Sequence, residues 1–120
     1  MDNIKKGRFG EKLALKYLVN KGYNIIGYNY YTRYGEIDII ATHSGVYIFV
    51  EVKTRSDNQY GTPAEAVSII KQRKMVKTAL DYISKNNLFD TAVRFDVIEV
   101  FLKSKGYNIN HIKNAFEAVL

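Results

Sequence analysis

The chain has 120 residues, 47% of them hydrophobic, and a net charge of +6 from 18 basic and 12 acidic residues. That length suits a single domain, 1–120, with a core of its own. There is no cysteine and the only histidines are His43 and His111, which excludes disulfides and thiolate centres and argues against zinc. A metal ion would have to be held by oxygen, which favours Mg2+ or Mn2+. No run approaches the roughly 18 apolar residues of a membrane span, and the segment Met1–Gly10 lacks the apolar stretch of a signal peptide. A cytoplasmic protein with no membrane partner is expected.

Leu13, Ala14, Tyr17 and Leu18 recur at helical spacing, predicting a helix over 8–21 that stops at Gly22. Tyr23, Ile25, Ile26, Tyr28 and Tyr30 predict a strand over 23–31. A turn at Tyr34-Gly35 leads to a strand over 36–42. Ser44-Gly45 reads as a hairpin turn into a strand over 46–54. The apolar run Val46–Val50 marks that strand as central, buried on both faces. After a polar loop, Thr62-Pro63-Ala64-Glu65 has the form of a helix start, with Thr62 as N-cap and Glu65 completing a capping box. The helix is expected to reach about Asn86, with an interruption near Lys71. Alternation predicts a strand over 92–102 and a further one over 107–112. The order αβββαββ implies an α/β fold, a mixed sheet with helices packed on it.

The chemistry concentrates in the second and third strands. Alternate residues of a strand share a face, so Glu51 points with Lys53, and Glu36 with Asp38. Pairing through the Ser44-Gly45 turn would bring Asp38 near Glu51. Two half-buried carboxylates repel unless a cation lies between them, and Mg2+ is held in this way by carboxylates and waters. Such an ion acidifies water and stabilises charge growing on a phosphate, while Lys53 would orient the water or neutralise the phosphate. Glu11 lies on or beside the apolar stripe of the first helix. It either reaches the same site or answers the helix dipole. A structural Glu–Lys or Asp–Lys pair is the plain alternative for the whole set.

The charge excess is uneven. Residues 1–40 hold seven basic and four acidic residues, 41–80 six and three, and 81–120 five of each. The excess therefore surrounds the carboxylates, as a polyanionic substrate would require. Arg55, Lys71, Lys74 and Arg33 are the expected nucleic-acid contacts, with Tyr28, Tyr30, Tyr31 and Tyr34 flanking Arg33 as stacking surfaces. A solvated helix face explains Lys71 and Lys74 equally simply. Asp96, inside an apolar strand, is expected to pair with Arg94 or to cap a turn.

Gly10-Glu11, Gly22-Tyr23, Gly35-Glu36-Ile37-Asp38-Ile39-Ile40, Phe49-Val50-Glu51-Val52-Lys53-Thr54-Arg55, Gly61-Thr62-Pro63 with Glu65-Ala66-Val67, and Arg94-Phe95-Asp96-Val97 together resemble the YraN family, a bacterial family of small uncharacterised proteins. The resemblance spans nearly the whole chain. It implies a restriction-endonuclease-like (PD-(D/E)xK) fold, similar to Holliday-junction resolvases and the tRNA-endonuclease-like group. It also implies a catalytic site of Glu11, Asp38, Glu51 and Lys53, with Asp38, Glu51 and Glu11 on Mg2+. The proline that precedes the Asp in that superfamily is replaced here by Ile37. The expected function is metal-dependent, endonuclease-like hydrolysis of phosphodiester bonds in DNA or RNA, including branched or structured substrates. A homodimer would set two sites on one substrate. The alternatives are a nucleic-acid-binding module that keeps the nuclease fold without catalysis, and a protein-interaction adaptor.

Overall fold

A helix, three strands, a second helix and two more strands follow in order: α1 (Asn3–Asn20), β1 (Asn24–Thr32), β2 (Gly35–His43), β3 (Val46–Ser56), α2 (Ile69–Lys85), β4 (Val93–Leu102) and β5 (Tyr107–Phe116). The structure, a computed structural model, describes residues 2–56 and 67–118. The αβββαββ order is the expected one. The five strands form one sheet in the order β1-β2-β3-β4-β5. β3 and β4 run parallel and the other neighbours antiparallel. A parallel pair needs a long connection, and α2 lies within it.

α1 begins five residues before the expected start. Asp2 is its N-cap, its carboxylate accepting from the Lys5 amide at 2.8 Å, which satisfies one of the helix's orphan donors. Gly7 hides this first turn from a periodicity argument because glycine weakens helix propensity. Gly10 is buried against β3, where a Cβ would collide with Thr54 Oγ1. The glycine is what lets the helix lie that close to the sheet.

α2 runs unbroken past Lys71, unlike the expected interruption, and is capped by Ser68, whose side chain accepts from the Lys71 amide. The expected cap at Thr62, Pro63 and Glu65 lies outside the described residues. Among the described residues, no helix is long and apolar enough to cross a membrane.

Each face of the sheet carries a core. Under α2, Met75, Val76, Ala79 and Ile83 pack on Ile37, Ile40, Phe49, Phe95 and Val97. Under α1, Ala14 and Leu18 pack on Ile39, Ala41, Ile48, Val50, Ile98 and Val100. Each fully buried large aliphatic or aromatic side chain contributes about 1.5–3 kcal/mol relative to exposure. β3 feeds both cores, Phe49 into one and Ile48 and Val50 into the other, as a central strand must.

β2 breaks alternation where the chemistry lies. Ile37 belongs to the core under α2, but Ile39 belongs to the core under α1. On the β1 side the pairs Tyr28–Ile39 and Tyr30–Ile37 keep one register, and the bulge of that ladder lies earlier, between Ile25 and Gly27. Between those pairs sits Asn29, in the left-handed region with φ 52°. On the β3 side, pairing ends at Ile39–Val50. A local irregularity of this kind re-aims side chains; here it re-aims Asp38.

Asp96 is fully buried and fully engaged. Arg94 donates to both of its oxygens at 2.8 and 2.9 Å, the Asn114 amide donates at 2.9 Å, and His111 Nε2 lies 2.7 Å away. The expected Arg94 pair is present, the Asn114 amide belongs to β5 rather than to a turn, and His111 extends the network to Tyr17 at 3.0 Å.

Candidate functional site

Three elements bring the carboxylates together. α1 supplies Glu11, β2 supplies Glu36 and Asp38, and β3 supplies Glu51, all lining one open cleft of about 560 Å³. Glu11, Glu36 and Asp38 each offer an oxygen within 4.8 Å of the others. Had the β2–β3 ladder continued, Asp38 would have faced Glu51. Instead the strands part, and Asp38 Oδ2 accepts from the Val52 amide at 2.8 Å. The carboxylate thus takes the acceptor role that a β2 carbonyl fills elsewhere in the ladder.

Glu51 is 5% exposed. Its Oε1 lies 3.7 Å from Lys53 Nζ and 3.6 Å from Lys71 Nζ. Its Oε2 is buried with no hydrogen-bond partner among the described residues. Buried polar oxygens rarely stand alone, so this one is open to an additional ligand. With its carboxamide nitrogen turned toward the cluster, Asn29 donates to Glu11 Oε1 and Glu36 Oε1 at 3.2 Å each.

This crowding changes protonation. Burial and then the nearby Glu51 push Asp38 up to about 8, against the Val52 hydrogen bond that lowers it. Burial also raises Glu51, although Lys71 and Lys53 oppose it. Glu11 is raised by burial and by Glu36 and Glu51, with opposition from its hydrogen bond to Asp38 and from Arg8. Carboxylates held in this state keep their protons to a higher pH than exposed ones.

All four expected catalytic residues, Glu11, Asp38, Glu51 and Lys53, line the same cleft. The acidic triad nearest one another is Glu11, Glu36 and Asp38; Glu51 stands beside it, facing the two lysines. Glu36 and Asn29 were not picked out as site residues from sequence. The Glu36-x-Asp38 alternation was the available signal for the first. Nothing in the sequence announced the left-handed backbone of the second.

The expected nucleic-acid contacts divide. Lys71 is drawn into the site by Glu51. Lys74 lies exposed one turn further along α2, beside Gly35. Arg33 lies exposed at the β1–β2 turn, donating to Tyr34 Oη at 2.8 Å, with the Tyr34 ring shared by Lys77. Arg55 is half-buried and donates to the buried Glu99 at 2.9 Å, a partner that occupies its Nε.

The fold and site define an α/β protein with a carboxylate–lysine cluster where two central strands part. Residues 10–100 match the family described as "Uncharacterised protein family UPF0102", and the chain belongs to that family. This is the YraN family that the sequence motifs resemble. A UPF0102 protein of Clostridioides difficile (strain 630) is 53% identical over 97% of this chain and 100% of its own length. One from Alkaliphilus oremlandii (strain OhILAs) is 52% identical over 95% and 99%. Among solved structures, SfsA of Pyrococcus furiosus in complex with Ca2+ is similar at a TM-score of 0.41 and 18% identity. That match covers 93% of this chain but 64% of SfsA, so the chain spans just under two thirds of that protein.

Proposed function

We propose that the protein is a Mg2+- or Mn2+-dependent nuclease-like enzyme that hydrolyses phosphodiester bonds in DNA or RNA. The observation that carries this reading is the buried, unpartnered Glu51 Oε2 beside the Glu11–Glu36–Asp38 cluster. Four carboxylates of raised or crowded charge, with no thiolate or imidazole among them, fit a hard divalent cation. Glu11, Glu36, Asp38 and Glu51 would hold it. Bound there, such a cation supplies positive charge against phosphate oxygens and acidifies water.

The chain's own residues then do the following. Lys53 lines the cleft and Lys71 lies 3.6 Å from Glu51; their two ammonium groups would neutralise a phosphate and hydrogen-bond an attacking water. Arg8, which also lines the cleft, adds a third cation. Asn29 keeps Glu11 and Glu36 in place. Hydrolysis forms a bond from water oxygen to phosphorus and breaks the phosphorus–oxygen bond to the leaving sugar, with a carboxylate taking the proton.

A second reading has its own observation. Glu51 already carries two lysines within 4 Å, so the set could serve as a structural ion network in a nucleic-acid-binding module without turnover. That module would bind with strong salt dependence, and Glu51→Ala would leave its affinity unchanged.

The deciding experiment incubates the protein with linear, flapped and four-way-junction DNA and structured RNA in Mg2+ or Mn2+, beside Glu51→Ala and Lys53→Ala. Cleavage by the native protein that both substitutions abolish is the expected result. No cleavage across the panel, or equal cleavage by both variants, would overturn the nuclease reading.

A further inference from the structure

A second cleft, about 390 Å³, opens on the other side of Glu11 and Asp38, between α1 and β1. Glu11, Asp38 and Arg8 line both clefts. The second one differs in chemistry. Its walls are Leu15, Ile39 and the ring of Tyr28, and its polar groups are Arg8, Lys12 and Asn29. Its size falls within the roughly 300–1,000 Å³ of small-ligand pockets. Arg8, Lys12 and Leu15 follow at four- and three-residue spacing, so one face of α1 supplies two cations and an apolar contact. Tyr28 is 65% exposed, on β1 beside the left-handed Asn29.

We infer that this cleft binds a nucleobase, that of the nucleotide whose phosphate lies at the carboxylate cluster. The inference rests on the nuclease reading and adds where the base goes. An exposed tyrosine and the aliphatic Leu15 and Ile39 line one cleft, and bases stack on such rings whatever their sequence. With its nitrogen donating to Glu11 and Glu36, Asn29 keeps its carboxamide oxygen to accept from a base amine. Arg8 and Lys12 flank the slot where the sugar-phosphate chain would leave it. Asn29 lines this cleft and, through Glu11 and Glu36, touches the residues of the first.

The test uses single-stranded oligonucleotides with one 2-aminopurine moved stepwise along the chain, and 2-aminopurine nucleoside monophosphate, in Ca2+. Stacking quenches the fluorophore. The native protein is expected to quench one position strongly. Tyr28→Ala should abolish that quenching and weaken binding by about five- to hundredfold, the range of a lost base–aromatic stack, whereas Tyr28→Phe should keep both. Calorimetric titration of Tyr28→Ala with Mn2+ should match the native protein, showing that the carboxylate cluster is intact. Quenching of the oligonucleotide alone assigns the slot to a base within a chain; equal quenching of the monophosphate assigns it to a free nucleotide. Equal binding by native and Tyr28→Ala proteins, without quenching at any position, overturns the base slot and leaves the nuclease reading standing. Mn2+ binding with no oligonucleotide or nucleotide binding by the native protein overturns both.

Discussion

Asp38 Oδ2 accepts the Val52 amide at 2.8 Å across the point where β2 leaves β3. One side chain therefore finishes the sheet and begins the site. Its two roles separate by substitution. Asp38→Asn keeps an oxygen acceptor and removes the charge; it should fold, yet lose cation binding and cleavage. Asp38→Ala also leaves the Val52 N–H unsatisfied and should lose about 1–3 kcal/mol of stability. Urea denaturation beside Mn2+ calorimetry checks both, and a stable Asp38→Ala would remove the structural role.

The crowded carboxylates set the pH dependence of the metal-free protein. Asp38 is raised from 3.8 to about 8, with Glu11 and Glu51 raised too. Between about pH 4 and 8 the folded state binds more protons than the unfolded chain, so stability falls as pH rises through that window. A divalent cation held by these carboxylates, as proposed, would displace those protons. The melting temperature without metal should drop from pH 5 to pH 8, and the increase caused by Mn2+ should be larger at pH 8. A shift that is equal at both pH values would contradict carboxylate ligation.

Lys71 reaches Glu51 from a different element than Lys53 but at nearly the same distance. If both serve the phosphate, Lys71→Ala should lower kcat/KM for cleavage at least about tenfold, or ~1.4 kcal/mol, without weakening Mn2+ affinity, since a competing positive charge is gone. Steady-state kinetics and metal titration of the variant distinguish this from a lysine that only holds the fold.

Two glycines in α1 predict opposite signs. A Cβ at Gly7 meets nothing within 4 Å, while one at Gly10 collides with Thr54. Gly7→Ala should gain up to about 1 kcal/mol from helix propensity. Gly10→Ala should lose about 1–3 kcal/mol despite that gain, because overpacking wins. Thr54→Ala in the Gly10→Ala background should recover part of the loss, read as a non-additive cycle in thermal melts.

The Asp96 network supports the far end of the sheet. Burial pushes Asp96 up, but its hydrogen bonds from His111, Arg94 and the Asn114 amide bring it below 3.8. Its contribution is therefore present above that value and is lost as pH falls through the lowered one. Asp96→Asn removes the buried carboxylate that pairs the partly exposed Arg94 and the buried His111, and should cost about 1–3 kcal/mol at neutral pH while sparing Mn2+ binding. Chemical denaturation at pH 7 and pH 3 should show the gap between native and variant closing in acid.

Strand and helix order were legible because periodicity is a local property. The Val46–Val50 run required burial on both faces, and β3 is central. The spacing of Glu51 and Lys53 required a shared face, and their side chains meet. The start of α1 was not legible, because its signal is one Asp2 cap followed by glycines. The fate of Arg55 was not legible either. Alternation sets its side of the sheet but not its partner Glu99, 44 residues away in sequence on the parallel neighbour β4.

The sequence by itself determined the composition of the candidate site: carboxylates with no cysteine, a lysine two residues from a strand glutamate, and a basic surround. The parting of β2 from β3 was decided by the tertiary structure alone. Regular alternation would have set Asp38 opposite Glu51 and both isoleucines beside it in one core. The packing of Ile37 under α2 and Ile39 under α1, with Asn29 left-handed on the neighbouring strand, turns Asp38 toward Val52 and Glu11. Non-local packing of two opposite cores on one sheet forced that turn, and no window of sequence contains both cores.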